Sequence, residues 1–173
     1  MFYDKNIFGL IFKTFVCLAI LSTVSNAADV ILHKTPGSDF PIAMAVEIPP
    51  DATVVNLSGA VPTIINPNAT KGSVEAYGNT EEQTISSLES IEKTLKSLGL
   101  EMGDIIKMQV FLVGDPKLFG KMDFDGFMNG YRKFFGTKEQ PNLPTRSVFQ
   151  VTALANPAWF VEIEVTAVRK VKK

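Results

Sequence analysis

The feature that most constrains the fold is a change of hydrophobic period within residues 80–113. In the first part, apolar residues recur every three or four positions, which predicts one apolar stripe along a helix. They are Ile85, Leu88, Ile91, Leu95 and Leu98. The segment DIIKMQVFLV follows and alternates with a period of two, which predicts a strand. Because the helix must bury its stripe, the two elements predict a helix packed on a sheet.

The ends of the predicted helices carry signals of their own. Thr80 and Gln83 have the spacing of a capping box, and Gly99 is suited to end the first helix. Asp115 and Pro116 are predicted to open a second helix, because proline is favoured in a first helical turn. The apolar side of that helix is expected to be core: Leu118, Met122, Phe127, Tyr131, Phe134 and Phe135.

Strand-like segments flank this helical region on both sides. DVILHK (a strand or an arm), IAMAVEI and TVVNLSG precede it, and Pro49-Pro50-Asp51 predicts a hairpin turn between the last two. Residues 60–79 are predicted to form a long loop. RSVFQVTA and FVEIEVTAV make up the last third. The order predicts an α+β fold in which two helices cover one face of a mixed or mainly antiparallel sheet.

The second face of three predicted strands is half apolar and half charged. It carries Lys107, Gln109 and Phe111; Arg146, Val148 and Gln150; and Glu162 and Glu164. Such a mixture is unusual for a solvated surface and suits an oligomer interface with pockets along it. The alternation predicts that Arg146 and Glu162 share one sheet face, away from the helices. Either Arg146 forms a structural ion pair with Glu162 or Glu164, or these side chains hold a ligand.

The first 27 residues have the pattern of a targeting segment. Lys5 and Lys13 precede an apolar stretch, and Ser25 and Ala27 occupy the positions favoured for signal-peptide cleavage. We expect a signal peptide at residues 1–27, a single domain at residues 28–173, and an exported protein, periplasmic or secreted, that is free of the membrane after cleavage. An uncleaved anchor is the alternative, although the stretch is short for a hydrocarbon core of ~30 Å.

Composition argues against several kinds of site. Cys17 is the only cysteine and lies in the predicted signal peptide, and His33 is the only histidine. We therefore expect no zinc or thiolate site and no Ser-His-Asp or Cys-His nucleophile. The sequence has no metal or organic-cofactor motif, so no cofactor is expected. A formal net charge of −1 disfavours nucleic acid as a partner.

Five motifs occur in order along the chain: NLSGAVP, EEQTISSLESIEKTLKSLGLEMGDIIKMQVFLV, YRKFFG, PTRSVFQVTAL and VEIEVTAV. This ordered set resembles the RidA/YjgF family of enamine and imine deaminases. The resemblance implies a chorismate-mutase-like α+β fold, a homotrimer, and ligand sites in clefts between subunits. It also implies hydrolysis of small carboxylate-bearing imines or enamines to 2-keto acids and ammonia.

The resemblance further implies roles for individual residues. Arg146, in the P-x-R-S motif, would grip the substrate carboxylate, to which a guanidinium offers two parallel donors. Glu162, in the EIE motif, would position or activate the attacking water. Ser58 and Gly59 would hydrogen-bond the substrate. The resemblance thus names Arg146 and Glu162 as catalytic residues and Arg146, Ser58 and Gly59 as substrate-binding residues.

Two positions depart from the deaminase pattern. Ile42 follows Pro41 where an aromatic hydroxyl is expected, and Val148 stands where the family has a small polar or thiol residue. Both changes make the pocket more apolar. A non-catalytic binder of small carboxylates in the same clefts is the alternative function. Ribonuclease action, which is ascribed to some relatives, is disfavoured by the weak net charge and the scarcity of His and Cys.

Overall fold

The computed structural model describes residues 29–169. The predicted signal peptide, its cleavage position after Ala27, and Cys17 lie outside these residues. The described residues form six strands: β1 Ile31–Lys34, β2 Ala43–Glu47, β3 Thr53–Asn56, β4 Ile105–Val113, β5 Thr145–Val151 and β6 Val161–Arg169. The same part of the chain forms three α-helices, which are α1 Val74–Tyr77, α2 Thr80–Ser97 and α3 Phe124–Tyr131, and short 3-10 turns at Met102–Asp104 and Pro116–Leu118. The predicted α+β class is confirmed.

The main sheet has four strands in the order β3-β6-β4-β5. β4 and β5 are parallel, whereas β6 is antiparallel to both β3 and β4. β1 and β2 pair with each other in a separate two-stranded sheet, where His33 contacts Glu47 at 2.7 Å. The predicted hairpin between β2 and β3 is wrong, because β3 instead pairs with β6, which brings Val55 beside Ala167 in the core layer.

The helix α2 begins one residue earlier than the capping-box prediction placed it. Asn79 is the N-cap: its side chain accepts from the backbone N–H of Glu82, and the Glu82 carboxylate accepts from the backbone N–H of Asn79. The predicted pair, Thr80 and Gln83, is buried instead. Gly99 follows the helix with a φ of 68°, as the predicted helix end requires.

The second predicted helix starts later than expected. Asp115 caps only a 3-10 turn, and Phe119 then adopts a left-handed φ of 56° that ends it. The helix α3 begins after Asp123, whose carboxylate accepts from the backbone N–H of Gly126. A second difference concerns the predicted long loop over residues 60–79, which includes the single helical turn of α1, Val74–Tyr77.

The core lies between the main sheet and the helices α2 and α3. From the helices it contains Leu88, Ile91, Leu95, Phe127, Met128 and Tyr131, and from the sheet Met108, Val110, Leu112, Val161, Ile163 and Val165. The predicted apolar faces of β4 and β6 are therefore confirmed. Gln83 is also fully buried, where its side-chain amide donates to the carbonyls of Gly78 and Ala158 and accepts from the N–H of Phe160.

The face assigned to β5 is wrong. In the parallel register, Arg146 lies beside Met108, and Val148 lies beside Val110, so this set points toward the helices. Glu162 lies beside Phe111 on the opposite face, which is called the outer face below. Arg146 and Glu162 therefore lie on opposite faces of the sheet. The distribution of apolar residues does not show which face of β5 meets the core, because each face carries a mixture of polar and apolar residues.

Candidate functional site

The guanidinium of Arg146 sits among aromatic rings. Its central carbon lies 4.2 Å from the ring centroid of Tyr131, 5.1 Å from that of Phe127 and 5.5 Å from that of Phe40. These distances are within the range of cation–π attraction. Tyr131 and Phe127 come from α3, whereas Phe40 comes from the segment between β1 and β2. Two distant parts of the chain therefore supply the three rings that surround this arginine.

The hydrogen bonding of this guanidinium is incomplete. Nη2 donates to the Met128 sulfur at 3.2 Å, and a thioether is a weak acceptor. Nη1 is buried and has no hydrogen-bond partner among residues 29–169. Buried donors are nearly always satisfied in folded proteins, so an unpaired one calls for a physical reason. A bound anion would supply the missing acceptor.

Burial changes the pKa of two groups in this cluster. Loss of hydration lowers the pKa of Arg146, although an arginine stays charged at neutral pH. Burial raises the pKa of Tyr131 to about 12, against the opposing effect of the nearby Arg146 charge. The Tyr131 hydroxyl therefore stays protonated, and it donates a hydrogen bond of 2.8 Å to the carbonyl of Pro41. Tyr131 thus ties the segment that carries Phe40 to the arginine.

The other residues with predicted roles gather on the outer face. Gly59 approaches Glu162 so closely that a Cβ at position 59 would collide with the Glu162 carboxylate. Ser58 precedes this contact and is exposed. Phe111 lies beside Glu162 and stacks on Phe149, with ring centroids 6.1 Å apart. A carboxylate, a glycine and an apolar aromatic surface therefore lie together.

A cavity of about 250 Å³ opens on the same outer face, next to Glu164. Its lining also includes Lys107 and Gln109, two of the polar residues that the alternation assigned to this face. The predicted mixed character of the outer face is confirmed for β4 and β6. For β5, the outer residues are Ser147 and Phe149 instead of Arg146 and Val148.

The structure thus brings Gly59 and Glu162 together but separates both from Arg146 by the thickness of the sheet. An ion pair between Arg146 and Glu162 or Glu164 of the same chain is excluded by this placement. Any single site that used both Arg146 and Glu162 would need them from two different chains. On the helix side of the sheet, Arg146 offers a cation whose Nη1 has no partner within residues 29–169. On the outer face, Glu162 offers a carboxylate beside the backbone of Gly59.

Sequence reasoning missed several partners of Arg146. Tyr131 and Phe127 were predicted as core, which is correct, but their contact with Arg146 was not predicted. Phe40 and Met128 carried no prediction of a site role. Their only sequence signals were an aromatic residue before the Pro41–Ile42 pair and a thioether one helical turn before Tyr131. Neither signal specifies a contact across the chain.

Two further observations concern the part of the chain that the structure describes. Within residues 29–169, no group of three or more His, Cys, Asp or Glu side chains is arranged to hold a metal ion. No helix in that part of the chain is long and apolar enough to cross a membrane.

This chain is similar to one family model and to several known proteins over most of its length. A family model described as Endoribonuclease L-PSP matches residues 41–169. A RutC family protein of Haemophilus influenzae is 33% identical over 142 residues, which is 81% of this chain and 97% of that protein. TdcF of Escherichia coli strain K12, whose name assigns it provisionally to the reactive intermediate deaminases, is 32% identical over 137 residues, 79% of this chain and 93% of that protein.

Solved structures show the same similarity in three dimensions. The crystal structure of E. coli TdcF with bound serine matches with a TM-score of 0.53 and 31% identity, over 81% of this chain and 98% of that chain. YyfB of Yersinia pestis, a protein of the Rid family, matches with a TM-score of 0.60 over 81% of this chain and 98% of that chain. At 19% identity, the second match supports the fold alone.

Proposed function

Because the chain belongs to the RidA/YjgF family, we propose that it hydrolyses small carboxylate-bearing imines and enamines to 2-keto acids and ammonia. The observation that carries this proposal is the buried Nη1 of Arg146, which has no partner within residues 29–169. A carboxylate completes the bonding of a guanidinium better than a neutral acceptor does, because the bonds are charge-assisted and parallel. The serine bound in E. coli TdcF also bears a carboxylate.

In the proposed reaction, an enamine first gains a proton on carbon and loses one from nitrogen, which gives the imine. Water then adds to the C=N carbon: its oxygen bonds to that carbon, and one of its protons goes to nitrogen. The hydroxyl proton of the resulting carbinolamine then moves to nitrogen, and the C–N bond breaks as the C=O bond forms, which releases ammonia. Arg146 would hold the carboxylate, and Glu162 would accept a proton from water and return it to the leaving nitrogen. Ser58 and the backbone at Gly59 would orient the substrate.

The proposed assembly is a homotrimer whose sites lie in clefts between subunits. The support for this arrangement is the placement of Arg146 and Glu162 on opposite faces of one chain. In a ring of identical chains, the Arg146 side of one subunit can face the outer face of the next. The exposed Phe149 is suited to such a contact, because 46% of its surface is accessible in the single chain. Export to the periplasm or beyond is proposed from the first 27 residues.

The test is imine hydrolysis by the mature protein. D-Amino-acid oxidase would generate the imine, semicarbazide would trap it, and a hydrolase would lower the rate of semicarbazone formation while releasing keto acid and ammonia. Arg146→Ala should lower kcat/KM by about 100-fold, because charge-assisted hydrogen bonds to the carboxylate are lost. Arg146→Lys should recover only part, because an ammonium lacks the two parallel donors. Arg169→Ala, an exposed arginine at the end of β6, is the matched control. Undiminished turnover by Arg146→Ala would contradict the proposal.

A second candidate is a non-catalytic binder of small carboxylates. It is favoured by one observation: a single chain provides the Arg146 cluster without Glu162. This function predicts that keto acids and amino acids raise the Tm of the wild type but not of Arg146→Ala, with no turnover by either protein. Measurable hydrolysis by the wild type that Glu162→Gln abolishes would decide for the enzyme.

A further inference from the structure

Met128 combines a place in the core with a polar contact. It is 3% exposed and belongs to the core between the helices and the main sheet. Its sulfur nevertheless accepts a hydrogen bond from Nη2 of Arg146, and the two atoms lie 3.2 Å apart. Packing alone does not require a sulfur here, because leucine and methionine replace each other in protein cores at little cost. The hydrogen bond to Arg146 is therefore what distinguishes methionine from leucine at this position.

This hydrogen bond fixes a direction that the aromatic rings around Arg146 leave free. The ring centroids of Tyr131 and Phe127 lie 4.2 and 5.1 Å from the central carbon of the guanidinium. The rings attract the positive charge through their π faces, which sets a distance but no direction for each N–H bond. The Met128 sulfur, in contrast, holds Nη2 at one point. Because the guanidinium is planar and rigid, fixing Nη2 also fixes where Nη1 points.

A thioether also leaves the charge of Arg146 available to a ligand. The ion pairs found within residues 29–169 do not include Arg146. The Met128 sulfur is neutral and a weak acceptor, so it holds Nη2 without cancelling the positive charge. A carboxylate side chain in the same place would form an ion pair with Arg146 and would compete with a ligand carboxylate. The guanidinium is therefore oriented on one side, while Nη1 stays unpaired among the described residues.

We propose that Met128 is a positioning residue for carboxylate binding: its sulfur holds Nη2 of Arg146 so that Nη1 is directed at a ligand oxygen. This inference rests on the proposed function for the identity of the ligand, a small 2-imino or 2-keto acid. In this role Met128 acts through Arg146 and does not contact the reacting carbon. Arg146 would hold the carboxylate in the substrate and in the transition state alike, so loss of the sulfur should weaken binding more than it slows the chemical step.

The experiment compares the wild type with Met128→Leu, Met128→Gln and a control. Leucine keeps the core volume and removes the acceptor, whereas glutamine restores an acceptor through its amide oxygen. Met102→Leu is the matched control, because Met102 is a core methionine, 7% exposed, in the 3-10 turn before β4. The measurements are kcat and KM for the imine that D-amino-acid oxidase forms from D-alanine, the Kd of pyruvate by calorimetry, and the Tm.

Met128→Leu should raise both KM and the Kd of pyruvate by about fivefold, the effect of losing one hydrogen bond, and should lower kcat by less than about twofold. Met128→Gln should keep both constants within about twofold of the wild type while lowering the Tm, because its amide nitrogen is an added buried donor. Met102→Leu should change neither constant. A role in packing alone predicts the reverse order, in which Met128→Leu is harmless and Met128→Gln is harmful.

Unchanged KM and Kd in Met128→Leu would overturn the inference, and hydrolysis by the wild type would then leave the proposed function standing. This variant decides the matter alone if Met128→Gln does not fold. If no protein shows turnover, but pyruvate binds the wild type more tightly than Met128→Leu, the enzyme is refuted and Met128 is kept as the positioning residue of a carboxylate binder. A wild type that neither hydrolyses the imine nor binds pyruvate would contradict both proposals.

Discussion

At the scale of single residues, the defining feature is a guanidinium that is stacked but incompletely hydrogen-bonded. Arg146 has three aromatic neighbours and a sulfur acceptor, yet its buried Nη1 has no partner within residues 29–169. An unsatisfied buried donor costs about 1–3 kcal/mol. A ligand oxygen that paired with Nη1 would recover that cost, which is the physical basis of the carboxylate site proposed here.

Tyr131 should make stability depend on pH in the alkaline range. Burial raises its pKa from 10.0 to about 12. Between these values the folded protein keeps the phenol proton while the unfolded chain loses it, so rising pH favours unfolding. The contribution is present below pH 10 and is lost as the pH rises toward 12, by about 3 kcal/mol in total. Urea denaturation at a series of pH values measures it.

Tyr131→Phe is the control for this pH dependence. The variant keeps the ring beneath Arg146 but loses the titrating hydroxyl and its hydrogen bond to Pro41. It should be less stable at neutral pH by about 1 kcal/mol and should show a smaller loss between pH 10 and 12. Equal alkaline losses in both proteins would show that Tyr131 does not carry the effect.

The sequence identified Arg146 but not its surroundings. Its role came from a motif, whereas its sheet face depends on the parallel register with β4, which places it beside Met108. Alternation divides a strand into two faces but does not say which face meets the core when both are mixed. The contact with Phe40 joins residues more than 100 positions apart, and no local pattern predicts it.

At the scale of elements, α2 shows how a cap can be predicted one position from its true place. Asn79 and Thr80 both suit an N-cap, and each is followed three residues later by Glu or Gln. The structure selects Asn79 and Glu82, because Gln83 is taken into the core to satisfy backbone groups of Gly78, Ala158 and Phe160. The local sequence does not predict these contacts, because Ala158 and Phe160 lie far from Gln83 along the chain.

Asn79→Ala should lower the free energy of unfolding by about 1 kcal/mol, because the N–H of Glu82 loses its side-chain acceptor. Thr80→Val is the matched variant, since the buried Thr80 hydroxyl has no hydrogen-bond partner within residues 29–169. It should change stability by less than about 0.5 kcal/mol. Urea denaturation of both variants measures the difference. The reverse order of effects would mean that Thr80 is the cap.

At the scale of the whole molecule, the two sides of the sheet have separate roles. One side joins the core and holds Arg146, and the other presents Glu162, Gly59 and the Phe111–Phe149 stack. The alternation predicted a mixed outer face, and β4 and β6 confirm it. The alternation placed Arg146 on the same sheet face as Glu162, whereas the structure places them on opposite faces. The proposed site therefore depends on contact between two subunits. The homotrimer remains a prediction.

The most direct test of this account is complementation between two inactive variants. Arg146→Ala and Glu162→Gln, with different affinity tags, would be expressed alone and together, and assemblies carrying both tags would be purified. Their subunit number would be measured by sedimentation, and their imine hydrolysis compared with that of the wild type. If each cleft takes Arg146 from one subunit and Glu162 from the next, one of the three clefts in every trimer that carries both variants contains both native residues. We therefore expect about a third of wild-type activity in the purified mixed assemblies. Mixed assemblies no more active than the separate variants, beside an active wild type, would contradict it.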